Sequence, residues 1–134
     1  MRSEEDQVRI NSISQKVIDA AIEVHRVLGP GLLESIYEDC LVIELGKGGT
    51  DIKRQMPVPV LYKGELAGQS LRLDLIIEDE VIVEVKAVEK IIPIHQAQLL
   101  TYLKLTGCSV GLLLNFNSVL MKDGIKRMVH NFDR

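Results

Sequence analysis

Tryptophan is absent, and the aromatic residues are few: Phe116, Phe132, Tyr37, Tyr62 and Tyr102. A stacking platform for single-stranded bases is therefore poorly supplied. Cysteine is nearly absent as well. Cys40 and Cys108 match no zinc or redox spacing and sit among apolar neighbours, which predicts buried free thiols in a reducing compartment. No apolar run reaches the ~18 residues of a membrane span. The opening Met1-Arg2-Ser3-Glu4-Glu5-Asp6 is polar and acidic, unlike a signal peptide, so a cytoplasmic protein with no membrane partner is expected. An excess of positive charge is lacking too. Sixteen Lys and Arg against nineteen Asp and Glu give a net charge of −3, which excludes a strongly basic, histone-like binder. A local basic patch is not excluded, because phosphate contacts depend on where charge is placed.

What is present is an ordinary globular composition. With 46% hydrophobic and 26% charged residues among 134, the apolar content can offset chain entropy. The length suits one domain. Such a domain buries about two-thirds of its unfolded surface and needs no structural metal to fold. Residues 1–12 are expected to be frayed, and 13–134 to form the single domain.

Ser12 followed by Gln15 reads as a capping box. Ile13, Val17, Ala20, Ala21, Val24 and Leu28 then recur at helical spacing, and Gly29-Pro30-Gly31 stops that helix. A second helix is predicted from about Leu32 to Gly46, with Leu33, Ile36, Tyr37, Cys40, Leu41 and Leu45 as its apolar stripe. The period then changes to 2. Ile52 to Val60, broken by Pro57 and Pro59, reads as an irregular or edge strand. Lys63-Gly64 marks a turn between Val60–Tyr62 and Glu65–Ala67. Ser70 to Glu78 and Val81 to Val88 are the clearest strands. Pro93 opens a third helix that closes at Gly107. Ser109 to Phe116 is apolar enough for a strand buried on both faces. A weaker hairpin is expected around Lys122-Asp123-Gly124, with a last strand near Ile125 to Val129. The third helix would cross over, right-handed, and set Ser109–Phe116 parallel to Val81–Val88. The fold class expected is α/β, a mixed sheet with helices packed on it.

The two clear strands carry the chemistry. Leu71, Leu73, Leu75 and Ile77 are expected on one face, with Arg72, Asp74 and Ile76 on the other; Val81, Val83 and Val85 oppose Ile82, Glu84 and Lys86. A three-residue loop, Glu78-Asp79-Glu80, pairs Leu73 with Val85, Leu75 with Val83 and Ile77 with Val81, so that apolar faces coincide; a bulge reaches the same phase. Asp74 then stands opposite Glu84, and Arg72 opposite Lys86. Their Cβ atoms would lie about 4.5–5.5 Å apart. Two like charges so placed need an offset, from Lys86, Arg72 or a bound cation. Oxygen ligands on a rigid strand pair suit Mg²⁺ or Mn²⁺.

Asp74 followed by Glu84-Val85-Lys86 resembles the D…(D/E)xK signature of the PD-(D/E)xK nuclease superfamily, with Leu73 where the signature often has Pro. Gln98-Leu99-Leu100-Thr101-Tyr102 is similar to the QxxxY motif of its RecB-like exonuclease branch. Gly31-Leu32-Leu33-Glu34-Ser35-Ile36-Tyr37 matches GxxExxY, which names a family of small bacterial and archaeal proteins. Val24-His25-Arg26, Leu28-Gly29-Pro30-Gly31, Arg72-Leu73-Asp74 and Leu114-Asn115-Phe116 resemble the same family. The resemblance runs from about Val17 to Val129.

It implies a restriction-endonuclease-like αβββαβ core. It implies that Asp74 and Glu84 bind a divalent metal, that Glu34 adds a further acidic ligand, and that Lys86 orients the attacking water or stabilises charge developing on phosphorus. Gln98 and Tyr102 would position that lysine or the substrate. The function expected is a Mg²⁺- or Mn²⁺-dependent nuclease acting on nucleic acid, DNA ahead of RNA, with a homodimer as one way for a small chain to grip a duplex. The alternative is a non-catalytic module that binds nucleic acid or protein on the same fold, alone or as an accessory part of a defence or repair complex.

Plainer roles exist for several residues. Glu34 suits a first helical turn, where the macrodipole favours an acid by about 0.3–1 kcal/mol. Asp74, Glu84 and Lys86 would also serve as a salt bridge across a hairpin. Gln98 and Tyr102, with His95, form a polar stripe that reads equally as a solvated face. His25 is expected to act as a cation at a helix C-terminus. Gly29 and Gly31 are turn glycines, since no GK[ST] follows. Lys53, Arg54, Lys63, Lys122, Lys126 and Arg127 would rim the sheet or serve as scattered solubilising charges.

Overall fold

The computed structural model describes residues 2–132. Its first helix, α1, spans Glu4–Leu28, so the segment expected to fray is helical. Ser3 is the N-cap: its Oγ accepts from the Asp6 amide at 3.1 Å, and Glu4, Glu5 and Asp6 fill the first turn, where the helix dipole favours acids. Ser12 and Gln15 lie inside the helix, and Gln15 donates to Asp19. The polar opening is held by distant partners. Arg2 donates to Ser109 and to the Gly107 carbonyl, Gln7 to the Phe132 carbonyl, and Arg9 to Glu80. Ile10 is fully buried.

Helix α1 stops at Gly29, whose φ of 68° is a left-handed value that glycine adopts freely. The Tyr37 hydroxyl ties down the loop, donating to the Gly29 carbonyl at 2.5 Å and accepting from the Leu32 amide at 3.1 Å. Helix α2 is Glu34–Gly46, two residues shorter at its start than expected. Tyr37, Leu41 and Leu45 are buried as predicted, but Leu33 and Ile36 are exposed. Both stand at the helix entry, beyond the sheet that covers the later turns. Cys108 is buried and Cys40 half-buried; both are free.

One five-stranded sheet follows, in the order β1-β2-β3-β4-β5: β1 Ile52–Tyr62, β2 Glu65–Ile77, β3 Val81–Lys86, β4 Val110–Asn115 and β5 Ile125–Val129. Strand β1 is an edge, as its prolines require. It pairs with β2 in one long hairpin turned by Lys63 and Gly64, both at positive φ. The Glu65–Ala67 and Ser70–Glu78 segments expected separately are therefore one strand, which ends at Ile77. Strands β3 and β4 are parallel, and α3, Pro93–Thr106, connects them and closes at Gly107 with φ 80°. Gly111 on β4 lets Leu99 of α3 lie directly against the strand. The expected hairpin at Lys122-Asp123-Gly124 is instead a short 3-10 helix, Met121–Gly124, leading into β5.

The core has two halves, one on each face of the sheet. Helices α1 and α2 cover Leu75, Ile77, Val81, Val83, Val85, Val110, Leu112 and Leu114. Helix α3 covers Leu73, Ile76, Ile82 and Leu113, with Leu71 and Met56 at the margin. Leu71 and Leu73 therefore do not share a face with Leu75 and Ile77, contrary to the alternation predicted. Strand β2 changes phase at Asp74. Strand β1 does so beside it, since Ile52 joins the first half of the core while Met56 and Val58 join the second.

Candidate metal centre

The phase change builds the site. Below it, the β2–β3 hairpin is regular: Leu75 pairs with Val83, Ile76 with Ile82 and Ile77 with Val81. This is the register that the three-residue loop predicts. The loop's backbone is unusual, with Glu78 and Asp79 at φ 53° and 55°. The Glu78 amide donates to the Asp51 carbonyl, and Lys53 pairs with Asp79 at 2.8 Å.

Above Leu75 the ladder opens, and the predicted Leu73–Val85 pair does not form, because Leu73 has turned to the other face. Carboxylates take over the backbone groups this leaves. The Asp74 amide donates to Glu84 Oε2 at 2.8 Å, and the Val85 amide donates to Asp74 Oδ2 at 2.8 Å. Asp74 and Glu84 are thus brought together by an exchange in which each side chain caps the opposite strand.

Electrostatics in this pair are severe. Glu84 is 4% exposed. Burial first, then the charge of Asp74, pushes its carboxyl up to about 8, against the pull of the Asp74 amide and Lys86. Asp74 is raised as well, by burial first and then by Glu38 and Glu34, with the Val85 amide and Lys86 opposing. A desolvated acid pair that holds a proton near neutrality is one that a cation would relieve.

Lys86, half-buried on β3, forms no salt bridge among the described residues, yet its charge reaches both carboxylates. Glu34 is exposed at the first turn of α2 and acts on the same two acids. Tyr37, fully buried and stacked on Phe116 at 4.6 Å, holds α2 against the sheet and so sets where Glu34 starts. Arg72 does not neutralise the pair; its guanidinium lies 3.5 Å from the Gln55 carbonyl.

Helix α3 closes the other side. Tyr102 is 3% exposed, so it belongs to the core rather than to a solvated face. Its hydroxyl donates to the Arg72 carbonyl at 3.3 Å. Burial chiefly, with the charges of Glu84 and Asp74, raises its pKa, while Gln98 beside the hydroxyl works the other way. Gln98 itself is exposed. His95 stays out of the site and accepts from the Ile92 amide at the helix start. His25, in the last turn of α1, is buried rather than exposed, with its ring Nε2 2.8 Å from the Ser118 carbonyl.

Three neighbours of the site were not foreseen. Glu38 is 7% exposed and one turn beyond Glu34, a spacing the sequence does show. Arg54 donates to it at 2.9 and 3.3 Å, and Gln55 at 3.0 and 3.3 Å. Gln55 has φ 50°, a left-handed conformation costing a non-glycine residue about 1–2 kcal/mol. No local signal marks it. Asn115, paired with Lys86 across β3 and β4, ties the chain beyond Lys86 by accepting from the Val88 amide and donating to its carbonyl.

Among the described residues, no three His, Cys, Asp or Glu side chains converge as a ready-made metal cage. Mg²⁺ does not require one, since it is usually held by one or two carboxylates with waters retained. The all-oxygen donor set of Asp74 and Glu84 fits that chemistry, with Glu34 near. Among the basic residues named above, Lys53, Arg54 and Arg127 are engaged within the protein, Arg127 by Asn11 and Ser14. No described helix is long and apolar enough to cross a membrane.

A family model described as the PD-(D/E)XK nuclease superfamily matches residues 11–128. No curated protein and no solved structure matches the chain. The five-stranded mixed sheet with its three helices is consistent with the restriction-endonuclease-like fold of that superfamily.

Proposed function

The chain belongs to the PD-(D/E)XK nuclease superfamily, and from that premise we propose that it is a divalent-metal-dependent phosphodiesterase of the GxxExxY branch acting on DNA. One observation carries the reading: buried Glu84 against half-buried Asp74, with Lys86, which has no salt-bridge partner among the described residues, two residues beyond Glu84 on the same strand. Asp74 and Glu84 would hold Mg²⁺ or Mn²⁺, with Glu34 as a further acidic ligand. Such a cation supplies charge neutralisation at the phosphate and a more acidic water. Lys86 would orient the attacking water and offset charge developing on phosphorus. Tyr102 keeps β2 in place through the Arg72 carbonyl, two residues before Asp74, and Gln98 supports its hydroxyl.

A second reading, a non-catalytic binding module, is favoured by Lys53, Arg54 and Arg127, which are held by partners within the protein and so are less available to phosphates. Incubation with Mg²⁺ or Mn²⁺ and a panel of single- and double-stranded DNA and RNA separates the two. The nuclease reading expects DNA cleavage that falls by about 10²–10⁴-fold in Lys86→Ala. Cleavage absent in the wild type, or equal in the variant, rejects it.

A further inference from the structure

Resting on the metal-dependent reading above, we infer that Gln55 is a positioning residue, whose amide, braced by Glu38, aims the second oxygen of Asp74 toward a divalent cation. The backbone gives the first reason. Gln55 stands opposite Asp74, between the pairs Arg54–Leu75 and Met56–Leu73, and it is there that both strands change face. A left-handed φ at that point would suit glycine or asparagine better. Strain retained at a bulky polar residue points to a use for its side chain.

The side chain gives the second reason. Asp74 Oδ2 is fixed by the Val85 amide at 2.8 Å. Its Oδ1 has one side-chain hydrogen-bond partner among the described residues, Gln55 Nε2, at 3.5 Å. The same amide nitrogen donates to Glu38 at 3.0 Å, so its two hydrogens serve two carboxylates. Arg54 neutralises Glu38 from the far side and also holds Asp39. In the series Arg54–Glu38–Gln55–Asp74, the group that meets Asp74 is a neutral donor. A cation at position 55 would compete with the metal for Asp74, whereas an amide orients the carboxylate and leaves its charge in place.

Titration of the full chain with MnCl₂ by calorimetry, alongside a thermal melt, tests this. Gln55→Gly accepts the left-handed backbone and removes only the side chain. Its melting temperature should be unchanged or higher, and its Mn²⁺ affinity about 10–100-fold weaker. Gln55→Asn, which also tolerates that φ but withdraws the amide by one methylene, should lose affinity similarly and supplies the answer should the glycine variant fail to fold. Glu38→Gln combined with Gln55→Gly should be no weaker than the worse single variant, since the two act in one chain. Wild type that binds while the position 55 variants bind within twofold of it overturns the positioning role alone, as do losses that multiply in the double variant. Wild type that binds no Mn²⁺ overturns this inference together with the metal-dependent function.

Discussion

The two ends of the β2–β3 hairpin use the same chemistry to opposite ends. At the loop end, Leu75, Ile77, Val81 and Val83 bury their side chains under α1 and α2 while their backbones pair strand to strand. At the other end the strands part, and Asp74 and Glu84 spend one oxygen each on the backbone groups released. The first arrangement is stabilised by apolar burial and satisfied amides together. The second satisfies its amides by crowding two carboxyl groups, and burial of Glu84 first, then the charge of Asp74, drives the Glu84 carboxyl up to about 8. The loop end holds the fold, and the open end carries an electrostatic cost that the cation of the proposed function would offset.

The largest contrast should come from striking each end once. Leu75→Ala leaves a void in a fully buried position and should cost about 2–5 kcal/mol in urea unfolding. Asp74→Asn keeps an oxygen for the Val85 amide and removes a repelling charge, so the metal-free protein should be as stable or more so, while divalent binding measured by calorimetry is lost. Comparable destabilisation by both would erase the distinction between the ends.

A smaller effect is expected at the support behind the open end. A methyl group on Gly124 would collide with the Asn115 carbonyl, and Asn115 anchors the chain just beyond Lys86. Gly124→Ala should lower stability by about 1–3 kcal/mol, and crystals of the variant should show the Asn115–Val88 contacts displaced.

The most gradual test is pH. Glu84 is protonated up to about pH 8 in the folded chain, against an ordinary value of 4.5. Between those values the unfolded chain binds fewer protons than the folded one, so the stability of metal-free protein should fall as pH rises, by at most about 1.4 kcal/mol per unit from Glu84 alone. Asp74, also raised, contributes with the same sign. Glu84→Gln should flatten that slope in melts recorded from pH 5 to 8.5. A wild-type curve that rises with pH through this range would contradict the burial-driven shift.

Much of this was legible from residue order. Lys63-Gly64, Pro93 and Gly107 marked turns and helix ends because each restricts or frees one backbone angle locally. The parallel β3–β4 pair followed from a helix lying between two apolar strands. The early start of α1 was less legible, because Arg2, Gln7 and Arg9 find their partners at Ser109, Gly107, Phe132 and Glu80, far away in the chain. The acid pair was legible in identity but not in construction. Strict alternation set Asp74 opposite Glu84 on an intact ladder, whereas the strand changes face at Asp74 and the ladder opens there.

Sequence alone determined which side chains are available for chemistry, Asp74, Glu84, Lys86 and Glu34, and the hairpin register of Leu75 against Val83, since a slip of one residue would expose every apolar side chain. Only the tertiary structure decided where that register ends. Leu73 is drawn to the α3 side and Leu75 to the α1–α2 side of one sheet, and satisfying both reverses the strand between them. That demand comes from helices packed on opposite faces, and no periodicity within β2 encodes it.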